Sequence, residues 1–152
     1  MNVSSQPDLS IVTSVYNAYE HTNQYVLELP RTLPAEIKIE KIVINDGSDQ
    51  ETTDLINNLD ASWMTRDNHE NRGFAWRNNE GAKTARGKWL LFLNNDVVPR
   101  GRWLEPLLDV AFKAGRRDKV GAVGNLQTYA GSKILNHGGI YFHPGDFSMR
   151  HA

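Results

Sequence analysis

The chain has 152 residues, enough for about one domain with a full core. Its 17 basic and 18 acidic residues leave a formal net charge of -1, which provides no global attraction to nucleic acid or to an anionic membrane. The absence of cysteine excludes disulfides and thiolate metal sites, and no apolar run approaches the roughly 18 residues of a membrane span. The first residues lack the basic and apolar regions of a signal peptide, so a soluble, cytoplasmic protein is the expectation.

In chain order, residues 9–16 are rich in β-formers and follow a tail containing Pro7, which predicts a first strand. Residues 19–29 place Tyr25, Val26 and Leu29 at helical spacing and must stop before Pro30. Residues 37–45 alternate and then become solidly apolar at Ile42-Val43-Ile44, which predicts the second strand. Asp46-Gly47-Ser48-Asp49 is turn chemistry, and Ser48 with Glu51 has the spacing of a capping box opening a helix to about residue 59. A short third strand over 63–66 and a polar loop over 68–73 precede a helix over 74–85, which Gly87 would close.

Residues 89–93 then form a fourth apolar run, bounded by turn residues and short enough to be a strand buried on both faces. A helix over 103–114 presents Trp103, Leu104, Leu107, Leu108 and Ala111 on one face. A fifth strand is expected over 120–126, and the glycine-broken stretch over 134–147 reads as a hairpin or loop. Strands alternating with helices predict an α/β layered sheet.

Open α/β sheets hold ligands beyond the carboxyl ends of their strands, and the polar triplet Asn94-Asn95-Asp96 follows such an end. A carboxylate there can hold a divalent cation and, through it, the phosphates of a nucleotide. Asp46 follows another apolar strand, so its carboxylate can accept from a pyrimidine imide N–H or a ribose hydroxyl; the same residue equally suits a plain turn. Ser14 and the backbone of Val15 and Tyr16 would line the same pocket. Gly73 would let a ligand approach the backbone, and Asn79 could bond to a loop or a ribose, although a simple helix entry and an exposed side chain explain both residues as well. Trp63, Trp76, Trp89 and Trp103 fit packing better than a sugar platform, which would need an aromatic ring facing the cleft.

Ser10 to Asn17, Ile42 to Asp49, the Asn71-Arg72-Gly73-Phe74-Ala75 stretch with Asn79, Gly81, Ala85 and Gly87, and Leu93-Asn94-Asn95-Asp96 occur in the order seen in the family 2 glycosyltransferases. Gly121-Ala122-Val123-Gly124 and His137-Gly138-Gly139 extend this over nearly the whole chain. The chain resembles that family. The resemblance implies a GT-A (Rossmann-like) three-layer sandwich with a mostly parallel central sheet, forming one nucleotide-sugar-binding domain over residues 1–152. It implies a nucleoside-diphosphate sugar donor, a glycan or lipid-linked acceptor hydroxyl, and Mg²⁺ or Mn²⁺ as cofactor; the balanced charge, separately, predicts no nucleic-acid partner. A location in the cytoplasm, with the inner membrane face left open, and a place in polysaccharide or cell-wall synthesis accompany it. Ser14, Val15, Tyr16, Asn17, Asp46, Gly73, Asn79, Asn95 and Asp96 take the nucleotide-sugar positions by this likeness, with Asp96 as the metal ligand.

The triplet departs from the family in one respect. Members often carry an earlier carboxylate where this chain has Asn94 and Asn95, leaving Asp96 as its only anion. Metal should therefore bind weakly without nucleotide. Inverting members take their general base from a segment after the equivalent of residue 152, so the expectation is a portion lacking the acceptor and base region, with Asp146 reading as a turn residue. His137 and His143 lack the spacing of a zinc site, and residues 116–119 read as a solvated loop. No Gly-x-x-x-x-Gly-Lys loop or Gly-x-Gly-x-x-Gly fingerprint is present. The alternative to a transferase is a catalytically silent nucleotide-sugar-binding or assembly module. A sugar nucleotidyltransferase would need a glycine-rich, basic first loop in place of Tyr16-Asn17-Ala18-Tyr19.

Overall fold

The structure, a computed structural model, describes residues 6–114, 121–125, 127–129, 131–137, 140–142 and 149–151. The readings of residues 116–119, His143 and Asp146 lie outside these. The chain divides into two units, Met1–Arg102 and Trp103–Ala152.

In the first unit, β1 (Leu9–Val15), β2 (Ile39–Asn45), β3 (Trp63–Arg66) and β4 (Trp89–Phe92) form one sheet in the order β3-β2-β1-β4. Every pairing is parallel: Val12 faces both Ile42 and Phe92, and Val43 faces Thr65. Parallel neighbours need crossovers, and α1 (Tyr19–Glu28), α2 (Gln50–Asn57) and α3 (Phe74–Thr84) provide them. Side-chain alternation along β1 and β2 assigns the helices to opposite faces. Thr13 bonds Tyr25 of α1, and Asn45 bonds Thr53 of α2. The other face carries Val12, Ile42 and Ile44, a fully buried cluster covered by Ala85 at the end of α3. A Cβ on Gly81 would collide with the Val12 side chain, so glycine lets α3 lie directly on β1. Three layers result, as expected.

Several boundaries differ from the sequence reading. Helix α1 continues past Glu28 as a 3₁₀ turn over Leu29–Thr32, with Pro30 in its first turn, where a missing N–H costs nothing. The cap of α2 is Asp49, whose carboxylate accepts the Thr52 N–H at 2.9 Å, because Ser48 is engaged by Asn17 instead. Gly87 is not a helix terminator. Helix α3 ends at Ala85 in an extended conformation, and a Cβ on Gly87 would lie 2.6 Å from the Leu9 carbonyl carbon. Strand β4 is not buried on both faces: Leu90 is 44% and Phe92 47% exposed. It stands at the edge of the described sheet, and α3 covers β1 and β2 on that face.

In the second unit, α4 (Leu104–Ala114) buries Leu104, Leu108 and Ala111. Residues 121–125, expected in a strand, have no regular structure; Gly121 and Gly124 add no side chain there to pack. Two short antiparallel pairs follow, β5 (Gln127–Thr128) with β6 (Leu135–His137) and β7 (Ile140–Phe142) with β8 (Met149–His151). Among the described residues no helix is long and apolar enough to cross a membrane.

Candidate functional site

The site is built from the carboxyl ends of β2, β1 and β4, which lie side by side in the sheet. At the end of β1, Ser14 is half-buried, Val15 buried, and Tyr16 55% exposed. Asn17 and Ala18 follow with φ of 56° and 62°, a left-handed pair that turns the chain sharply into α1. Asn17 joins this tip to the next: its N–H donates to Ser48 Oγ at 2.9 Å, and its Oδ1 accepts the Asp49 N–H at 2.8 Å.

At the end of β2, Asn45 is buried and fully used. Its Nδ2 donates to Thr53 and to Asp67 (2.6 Å), and its Oδ1 accepts the Ser48 N–H. Gly47 has a φ of +71° and sits against the next loop, where a Cβ would come within 3.0 Å of the Glu70 and Asn71 backbone. Asp46, only 3% exposed, receives the N–H groups of Arg72 (2.8 Å) and Gly73 (2.9 Å) and the Nε of Arg77 at 2.5 Å. Arg77 is equally buried; it also donates to Glu80 and to the Glu70 carbonyl oxygen. Burial works against the guanidinium charge, but the bonds to Asp46 and Glu80 outweigh it and raise the Arg77 pKa above the ordinary arginine value. The same contact holds the Glu80 carboxyl below its usual range.

After β4, Leu93-Asn94-Asn95-Asp96 forms a turn closed by the Val97 N–H on the Asn94 carbonyl. Asn95 donates to Thr22 Oγ1 of α1 at 2.8 Å, while Asn94 and Asp96 are exposed. One cleft of about 190 Å³ runs across these tips, lined by Ser14, Val15, Tyr16, Asp46, Phe74, Asn94, Asn95 and Asp96. Ligand pockets usually reach about 300 Å³ or more, so this cleft suits part of a nucleotide sugar.

Six of the residues singled out from sequence thus share one cleft: Ser14, Val15, Tyr16, Asp46, Asn95 and Asp96. Three do not line it. Asn17 is tied into the turn beside it, Gly73 gives its N–H to Asp46 as the residue before α3, and Asn79 sits on the exposed side of α3. The neighbour Asn78 faces inward, donating to Ser14 Oγ at 3.3 Å and to the Phe74 carbonyl at 2.9 Å.

Sequence reasoning also missed Arg77 and Phe74. Helix α3 buries Arg77, Asn78 and Gly81 while leaving Phe74 60% and Trp76 50% exposed. A search for an apolar stripe reads such a helix inside out. The available signal was Asp46 itself: a carboxylate ending a buried strand needs a cation, and Arg77 is that cation.

Among the described residues no group of three or more His, Asp or Glu side chains could hold a metal ion. Asp96 offers one carboxylate, beside the amide side chains of Asn94 and Asn95 in the same turn. These hard oxygen donors fit Mg²⁺ or Mn²⁺ when phosphate and water oxygens complete the shell, and they suit no softer metal.

The profile of "Glycosyl transferase family 2" matches residues 10–141. A Drosophila melanogaster protein assigned by name as polypeptide N-acetylgalactosaminyltransferase 13 is 30% identical over 118 residues, which cover 68% of this chain and 21% of that protein. The mannosyltransferase PcManGT from Pyrobaculum calidifontis, solved in complex with GDP-Man and Mn²⁺, superposes with a TM-score of 0.56 at 18% identity. That superposition covers 65% of this chain and 30% of the mannosyltransferase, and the likeness establishes the shared GT-A fold. The chain therefore spans less than a third of the length of either relative. With its parallel sheet, its strand-end cleft and a family match over most of its length, the chain belongs to glycosyl transferase family 2.

Proposed function

We propose that this chain is the donor-binding domain of a glycosyltransferase, holding a nucleoside-diphosphate sugar and a divalent cation in the cleft at the strand ends. The transfer it supports is to a hydroxyl of a glycan or lipid-linked acceptor, with inversion. The observation that supports this most is the common cleft of Ser14, Tyr16 and Asp46 with the Asn94–Asp96 turn. Ser14 and Tyr16 serve the nucleoside end, offering a hydroxyl and an aromatic ring. Asp46 contributes by fixing the Arg72 and Gly73 backbone against the cleft, since its own oxygens already accept from those amides and from Arg77. Asp96, exposed on the far side of β1, serves the diphosphate and the cation. When bound there, a Mg²⁺ or Mn²⁺ ion would neutralise charge growing on the departing diphosphate. No residue of the cleft is assigned the task of taking the acceptor proton.

Calorimetric titration with uridine, thymidine and guanosine diphosphates, with and without Mn²⁺, tests the proposal. At least one should bind with clear dependence on Mn²⁺, and Asp96→Ala should abolish that dependence. Failure of all three to bind, or binding indifferent to both Mn²⁺ and Asp96→Ala, would overturn it. The alternative of a silent binding module draws on the single carboxylate of the turn; it predicts the same binding without hydrolysis or transfer of a bound donor by the full-length protein.

A further inference from the structure

Helix α3 is inverted with respect to ordinary amphipathic helices. It buries a guanidinium and an amide, Arg77 and Asn78, and turns aromatic rings outward. The two rings have different surroundings. Trp76 carries the Arg72 guanidinium 5.2 Å from its ring centroid. Phe74 forms part of the cleft wall at 60% exposure, and among the described residues no ring or cation lies against it.

The backbone around Phe74 is held from both sides. Asp46 accepts the N–H groups of Arg72 and Gly73, and Asn78 donates to the Phe74 carbonyl while reaching Ser14. Gly73, with φ of +85°, aims the first residue of the helix toward the strand tips. Leaving a phenyl ring in water forfeits burial energy, and here a rigid anchorage maintains that arrangement.

We infer that Phe74 is the stacking surface for the nucleobase of the donor, forming an aromatic wall in the cleft that Tyr16 also lines. This rests on the reading of the cleft as a nucleotide-sugar site. The anchors identify which part of the donor the ring meets. Phe74 is fastened to the tips of β2 and β1 through Asp46 and Ser14, whereas the Asp96 turn follows β4 on the other side of β1. With the diphosphate at Asp96 the base falls on the Phe74 side, and the sugar, beyond the diphosphate, lies away from it. Stacking on an exposed ring tolerates any base because every base presents a π-face. Phe74 therefore contributes affinity for the nucleoside and leaves the choice of base to other groups.

The experiment compares wild type with Phe74→Leu, Phe74→Tyr and Phe74→Trp by calorimetry in the presence of Mn²⁺. The probes are uridine diphosphate, guanosine diphosphate, UDP-glucose and inorganic pyrophosphate. Leu keeps the apolar bulk and removes the π-face, so Phe74→Leu should weaken both nucleoside diphosphates about tenfold, whereas Tyr and Trp restore binding. Pyrophosphate should be unaffected in every variant, which also reports an intact fold. Equal affinities in wild type and Phe74→Leu, or an equal loss for pyrophosphate, would overturn the inference while leaving the proposed function standing. A loss confined to UDP-glucose would reassign the ring to the sugar and overturn it too. A wild type that binds neither nucleoside diphosphate would remove the nucleotide-sugar reading and this inference with it.

Discussion

Replacing Arg77 with Met removes the cation from a buried ion pair while nearly keeping the side-chain volume. Both partners are almost fully enclosed, with side chains 3% and 4% exposed, so the Asp46 carboxylate would remain buried without its counter-charge. Breaking such a pair from one side usually costs about 3–5 kcal/mol. Asp46 keeps two backbone donors, from Arg72 and Gly73, which places the expected loss at about 3 kcal/mol. Glu80 and the Glu70 carbonyl lose their donor as well, but Glu80 is 38% exposed and water replaces that contact. With a urea slope of about 2 kcal/mol per molar, the midpoint should fall by roughly 1.5 M. In a double-mutant cycle, adding Asp46→Asn to Arg77→Met should cost much less than the same change in wild type, because the carboxylate is by then unpaired. An Arg77→Met loss below about 1 kcal/mol, or strictly additive changes, would refute the clamp between β2 and α3.

Other consequences follow from the same geometry. Ala18 has φ of 62° at the entrance to α1, a conformation costing an alanine about 1–2 kcal/mol; Ala18→Gly should stabilise by roughly 0.5–1 kcal/mol in urea unfolding, after the entropy of glycine is deducted. Gly87→Ala should destabilise by about 2 kcal/mol or more, since the new methyl meets the rigid backbone of Leu9 and Ser10; an unchanged midpoint would contradict the packing. At Glu40, burial opposes ionisation, but the Ser10 hydroxyl and the Arg86 backbone N–H and guanidinium outweigh it and hold the carboxyl below its ordinary 4.5. Its stabilising contribution is then complete above that value and lost as pH falls through the lower folded value. Unfolding measured from about pH 6 to about pH 3 should accordingly show a shallower acid loss for Glu40→Gln than for wild type.

The sheet was legible because its strands announce themselves. Ile42-Val43-Ile44 and Trp89 to Phe92 are short apolar runs ended by polar turns, and ligand-bearing loops follow the carboxyl ends of such strands. What escaped sequence reasoning depends on contacts between distant segments. Ser48 has the spacing of a cap, yet its hydroxyl is drawn across to Asn17, and Asp49 replaces it. Gly87 follows a helix, yet its reason is the approach of β1. The inward face of α3 is polar because it must neutralise Asp46 and reach Ser14; hydrophobic periodicity could not separate Asn78 from Asn79 or reveal Arg77. The exposure of β4 depends on where α3 lies, which no local pattern encodes.

The central claim is that the tips of β1, β2 and β4 enclose one metal-assisted nucleotide site, and paramagnetic relaxation tests it most directly. In an ¹⁵N-labelled sample with uridine or guanosine diphosphate, trace Mn²⁺ should broaden the amides of Asn94 to Asp96 and of Ser14 to Tyr16. Lys38 and Lys88, at the opposite end of the sheet, should stay sharp, and Asp96→Ala should erase the effect. Broadening centred on any other surface, or an identical pattern in Asp96→Ala, would contradict the account.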